Sequence, residues 1–193
     1  MADQLARWIS ILFDSSVVSV PVFLALGYMS GGSSGLVWAI LMLFIVTGIP
    51  LAYLMLGRRR GWVSDLELSN RGERPRFILV SLGSDVLALL ILWVGGGPHL
   101  LRLLVLTYLA LAIVMFTVSS FWKISMHMAG VAGFSAALVF VFGPAASWAF
   151  ASLVPVAWAR LRRRKHGPSQ LLAGACAGAL VAGFVFGRLG RWL

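Results

Sequence analysis

The sequence predicts an all-α polytopic transmembrane helical bundle of about seven spans (six to seven), in a single transmembrane domain covering residues 1–193. Three observations carry this reading. Of the 193 residues, 60% are hydrophobic and only 11% charged, against roughly 25% charged in a soluble domain; the mean hydropathy is +0.94. Apolar runs near the length that crosses a hydrocarbon core, about 20 residues, recur along the chain. The cations sit at the ends of these runs, as membrane proteins carry them, so the net charge of +10 is read as topology and no nucleic-acid partner is expected.

The first span is predicted over Trp8 to Met29, interrupted by Asp14-Ser15-Ser16 and Pro21. The loop Ser30-Gly31-Gly32-Ser33-Ser34 separates it from a second span, Gly35 to Leu56, with Pro50 near its end. A polar segment follows, 57–76, with six arginines (Arg58, Arg59, Arg60, Arg71, Arg74, Arg76) and three acids (Asp65, Glu67, Glu73). The third span, Phe77 to Val94, carries Asp85 near its middle, and Gly95-Gly96-Gly97-Pro98 is a turn signal. The fourth span is Leu100 to Ser120. The polar segment 121–127 leads into a fifth span that opens near His127 and ends at Phe142. Gly143-Pro144 turns the chain into a short sixth span, Ala145 to Ala159, containing Pro155. The segment 159–170 then precedes the last span, Leu171 to Gly187, whose glycines and alanines permit close helix packing. The lone cysteine, Cys176, forms no internal disulfide.

Two spans separate 57–76 from 121–127, and two more separate 121–127 from 159–170. All three segments are therefore expected on one membrane face, together with the N-terminus. That face carries thirteen cations against three (Arg102, Arg188, Arg191) on the other. The positive-inside rule puts it in the cytoplasm.

The segment Ala159-Arg160-Leu161-Arg162-Arg163-Arg164-Lys165-His166-Gly167-Pro168-Ser169-Gln170 holds the densest chemistry. Gly167 suits a helix cap and Pro168 a first helical turn. His166 and Gln170 are four apart, on one side of that turn. A histidine beside guanidinium groups at a helix N-terminus is a place where a phosphate can be held and attacked.

Three segments together resemble the signature motifs of the type 2 phosphatidic acid phosphatase superfamily of integral membrane lipid phosphatases. Ala159-Arg160, His166 and Gln170 fall on the spacing of its third motif (Ser-Arg, five residues, His, three residues, Asp). Ile124-Ser125-Met126-His127 keeps the serine and histidine of its second, Pro-Ser-Gly-His. Glu67, six residues, Arg74-Pro75 keeps the Arg-Pro of its first. Gln170-Leu171-Leu172-Ala173-Gly174 also resembles the helix that follows the third motif. The resemblance runs from about residue 65 to 185.

It implies dephosphorylation of a membrane lipid phosphate or isoprenoid diphosphate through a phosphohistidine, with no cofactor and no metal. His166 is then the nucleophile, and His127 protonates the leaving alkoxide and deprotonates the attacking water. Arg74, Arg160 and Lys123 hold the phosphate oxygens, with backbone N–H groups near Ser125 and His127 adding to this.

The chain departs from the pattern at two positions. Glu67 stands where the first motif has lysine, a loss that Arg71 or Lys123 can offset. Gln170 stands where the third has aspartate; an amide can accept a hydrogen bond from His166 and fix its tautomer, but it cannot stabilise an imidazolium by charge. Asp14 and Asp85 lie within predicted spans, where carboxylates are costly and usually functional, and Asp85 is a candidate to orient a histidine. Prenyltransferase and CDP-alcohol transferase chemistry needs clustered aspartates, which six scattered acids do not supply. Two readings stay open beside the phosphatase: a transporter, for which broken spans with Asp14, Pro21 and Asp85 speak and the absence of repeats speaks against, and a relative that binds lipid phosphate without efficient turnover or passes the phosphate to an acceptor other than water.

Overall fold

The computed structural model describes residues 1–191, except the side chains of Arg71 and Arg191. The protein is all-α, with no strand among the described residues. Four helical runs are long and apolar enough to cross a membrane: Ser15–Arg59, Arg74–Val94, His99–Phe121 and Pro168–Gly187. A fifth, Met126–Phe142, is shorter and equally apolar. The chain clusters into two compact units, one of Met1–Val22 with the chain from Lys123 on, the other of Phe23–Trp122.

In the first unit, α1 (Ala2–Leu12) is a separate helix, so the span predicted over Trp8 to Met29 is broken. The cause is Asp14. Its Oδ1 accepts the Ser16 N–H at 3.0 Å, and its carbonyl accepts the N–H groups of Val17 and Val18. That is an N-cap, and it starts α2 (Ser15–Leu43) afresh. Asp14 is thus a cap at a helix break, not a carboxylate stranded in mid-span. At 100° per residue, α1 has three faces. Ala6 and Ser10 are buried; Leu5, Trp8 and Leu12 form an exposed apolar stripe; Gln4 and Arg7 lie on a third, exposed face, with Ile11 between them. This is the pattern of a helix lying in a membrane interface.

The core of this unit is the pair α6 (Met126–Phe142) and α8 (Pro168–Gly187). Its register follows from the close approaches. Ser125 N–H donates to the Gln170 carbonyl at 3.2 Å. A Cβ on Gly174 would meet the Ser125 carbonyl oxygen, one on Gly178 the Ala129 carbonyl oxygen, and one on Gly187 the Phe140 ring. Both chains advance in the same direction, so the helices are parallel and their N-termini share one end. Gly174 and Gly178 are a GxxxG pair, and their missing side chains let the backbones touch.

Two parallel helices need a return path. Gly143, at φ 80°, starts it. The predicted sixth span, Ala145 to Ala159, is not one helix. Residues 144–152 form a 3-10 run, and α7 (Leu153–Arg162) follows. Pro155 explains the division: it has no N–H to donate to residue 151, but in the first turn of α7 that donor is not needed. The ten residues of α7 rise about 15 Å, half a hydrocarbon core.

α7 ends in a Schellman closure. Lys165 N–H donates to the Arg160 carbonyl and Arg164 N–H to that of Leu161. The left-handed position is Arg164, at φ 51°, where glycine is the usual residue. Replacing Arg164 by glycine is expected to stabilise the protein by about 1 kcal/mol. A thermal melt should show the midpoint rising ~2–4 °C; a fall would mean that the arginine side chain holds the turn.

In the second unit, α2 folds back at Gly32 (φ 57°, ψ −136°). A Cβ on Gly27 would lie 2.6 Å from the Gly35 carbonyl oxygen and 2.7 Å from Ala39 Cβ. The reversal thus makes a tight helical hairpin where the Gly-Gly loop is predicted. A π turn over 44–48 precedes α3 (Ile49–Arg59). Pro50 explains it, since it leaves the carbonyl of residue 46 without its helical donor. The polar segment is knit by Glu73, which accepts from Ser64 N–H and Asn70 Nδ2. α4 (Arg74–Val94) and α5 (His99–Phe121) follow, joined through the predicted glycine turn.

Candidate functional site

His166 lies in the turn before α8 and is almost buried. Its Nδ1 is 3.2 Å from Gln170 Oε1. The same oxygen accepts the Gly167 N–H at 3.2 Å. A backbone N–H can only donate, so the atom facing it is the amide oxygen and not the amide nitrogen. Nδ1 must then donate as well, which leaves the lone pair of a neutral His166 on Nε2. Gln170 therefore does two jobs: it satisfies an unpaired N–H at the helix start, and it fixes the tautomer.

His127 sits in the first turn of α6, at the same end of the pair and 8% exposed. Its Nε2 is 3.2 Å from Asp14 Oδ2 and 3.2 Å from the Ser10 carbonyl. Neither acceptor is evident from motif spacing, because both come from the N-terminal break. The signal that was available is Asp14-Ser15-Ser16, a strong N-cap sequence read as an interruption of a span.

Ser125 is fully buried and caps α6, its Oγ accepting the Met128 N–H at 3.4 Å. Its own N–H is engaged by Gln170, so its hydroxyl and amide join the two helix starts. Arg160 is buried in the last turn of α7, beside this end. Lys123 precedes the cap by two residues and is half-buried. Arg162 reaches across to α1, its Nε donating to Asp3 Oδ1 at 2.8 Å. Since Asp3 and Ser10 both touch this end, α1 lies along it.

The parallel arrangement sets two helix N-termini side by side at one end of the pair, each equivalent to roughly half a positive charge. With Arg160 and Lys123, that end of the unit is suited to an anion. Next to it, an open apolar groove of about 380 Å³ runs between α7 and α8, lined by Leu153, Leu161, Pro168, Leu171, Ala175 and, from α6, Met128. Leu161 adjoins Arg160, and Met128 adjoins His127.

Three sequence-predicted residues belong to the second unit. Arg74 is buried and donates from Nε to the Leu68 carbonyl at 3.0 Å, Leu68 being held at φ 49°. Asp85 is buried within α4, and its Oδ1 makes no hydrogen bond among the described residues. Arg71 opens the 3-10 turn before α4, and its side chain lies outside the described residues. The first unit thus brings His166, His127, Gln170, Ser125 and Arg160 to one end, and adds Asp14. No family model, curated protein or solved structure matches the chain.

Proposed function

We propose that the protein is an integral membrane phosphatase acting on a lipid phosphate monoester or isoprenoid diphosphate, with its active face in the cytoplasm. The observation that carries this reading is the pair of histidines at the shared end of α6 and α8, one of them donating from Nδ1 to Gln170, so that the lone pair of its neutral form lies on Nε2. That is the state a nitrogen nucleophile needs.

In this reading His166 Nε2 attacks phosphorus and the ester P–O bond breaks. His127 gives its proton to the departing oxygen, then takes one from the water that hydrolyses the phosphohistidine. Arg160, Lys123 and the helix N-termini hold the phosphoryl oxygens and the charge that builds on them. The groove between α7 and α8 accepts the acyl or prenyl chain, so the lipid remains in its leaflet while its phosphate reaches the cations.

A second reading has one observation in its favour. Gln170 offers His166 an amide and no charge, so the same site suits binding of a lipid phosphate with slow or no turnover.

The test is phosphate release by the purified protein in EDTA, with phosphatidic acid, phosphatidylglycerol phosphate and prenyl diphosphates as substrates. The expected result is release from at least one of them, with an acid-labile phosphoenzyme trapped on rapid quenching. Binding of the same lipids by folded protein, with neither release nor phosphoenzyme, would replace the phosphatase reading with the binding one.

A further inference from the structure

We infer that Asp14 is a positioning residue for His127: together with the Ser10 carbonyl it holds the ring as the Nε2–H tautomer, so that Nδ1 is the nitrogen that gives and takes the catalytic proton. The inference rests on the phosphatase reading and adds to it a residue outside all three motif segments.

Two acceptors beside Nε2 bear on the tautomer. Ser10 O and Asp14 Oδ2 each lie at 3.2 Å. A carbonyl oxygen can only accept, and so can an ionised carboxylate. The Asp14 side chain is over a third exposed. Nε2 must therefore carry a hydrogen, and proton exchange is confined to Nδ1.

The carboxylate is itself held from the other side. Asp14 Oδ1 is occupied by the Ser16 N–H at the start of α2, which turns Oδ2 towards the ring. Ser10 is fixed because it lies on the buried face of α1 with Ala6. A Cβ on Gly130, one turn along α6 from His127, would come within 2.9 Å of Ser15 Cβ. α6 and the start of α2 are therefore in close contact at this point.

The two histidines consequently have different partners. His166 faces a neutral amide, and His127 faces a carboxylate that stabilises an imidazolium by charge. Partners that differ in this way assign the two rings different roles. The negative partner is on the acid, where it helps hold the proton to be donated, and the neutral partner is on the nucleophile.

The proton balance follows. As the N–P bond forms at His166 Nε2, the ester P–O bond breaks and its electron pair goes to the lipid oxygen. That oxygen takes the Nδ1 proton of His127, whose ring becomes neutral and keeps Nε2–H. In the second half Nδ1 takes a proton from water, the resulting hydroxide oxygen bonds to phosphorus, and the N–P pair returns to His166.

The test compares wild type with Asp14→Asn, Asp14→Ser and Asp14→Glu in the full chain, using histidine 15N chemical shifts and phosphate-release kinetics. Asparagine and serine are both good N-caps, so α2 should still start at Ser15, and circular dichroism with a thermal melt checks this. The wild-type His127 ring should show Nε2–H. In Asp14→Asn and Asp14→Ser the signature should become mixed, with kcat falling on the order of 10²–10⁴-fold and KM changing less than about twofold. Asp14→Glu should restore part of kcat. An unchanged ring signature, with kcat within about twofold of wild type, would overturn the inference and leave the phosphatase reading intact. A signature that shifts as expected in a wild type without turnover on any substrate would overturn the phosphatase reading and the catalytic role of Asp14 with it.

Discussion

Alanine in place of His166 is expected to reduce phosphate release by about 10⁴–10⁶-fold, the scale on which losing a nucleophile costs an enzyme. The substitution should do this without unfolding the site. Gln170 Oε1 keeps the Gly167 N–H, so the first turn of α8 remains closed. The Ser125–Gln170 bond between the helix starts involves backbone only at both ends. The thermal midpoint should therefore move little while release disappears and no phosphoenzyme can be trapped. Release above about 1% of wild type from folded His166→Ala protein would mean that another group attacks phosphorus.

The second large effect is structural. Leucine at Gly178 is expected to destabilise the protein by more than about 3 kcal/mol, beyond the usual range for overpacking, because the obstacle is main chain. A Cβ there would overlap the Ala129 carbonyl oxygen and come within 2.9 Å of the Gly133 nitrogen. Neither atom can turn aside as a side chain does. α6 and α8 must move apart, and the register that brings His127 and His166 to one end goes with them. Gly183→Ala is the control: its Cβ would meet only the Phe140 ring at an ordinary 3.7 Å, and the protein should melt close to wild type. A Gly178→Leu protein that melts and turns over like wild type would show that this helix pair does not set the site.

Much of this architecture is legible in the chain. Apolar runs bounded by cations give the helices, and glycine spacing in the last run gives the close pair. His166 and Gln170, four apart across Gly167-Pro168, give the hydrogen bond that orients the His166 ring. What the chain conceals depends on which of two local preferences wins. Asp14-Ser15-Ser16 can be read as polar residues inside a span or as a new helix start, and the three N–H groups that Asp14 accepts decide for the start. Pro155 similarly divides the sixth run, and only the folded backbone shows a 3-10 path before it. The Asp14–His127 pair joins residues 113 positions apart in sequence, and no spacing rule reaches that far. Arg164 hides the end of α7 because the closure there does without the glycine that normally marks it.

The course of α1 has a consequence for reach. One end of this helix touches α7 through Asp3 and Arg162, and the other supplies the carbonyl against His127. A helix whose apolar stripe floats at the boundary between headgroups and chains cannot sink or rise without exposing that stripe or burying Gln4 and Arg7. With α1 placed at that boundary, as proposed, it would act as a depth gauge. The imidazole tied to it would keep a fixed height relative to the phosphate layer, whatever the thickness of the bilayer beneath. In the proposed lipid phosphatase, substrates with tails of different length would then present their phosphates at the same level, and discrimination among them would fall to the groove rather than to the histidines.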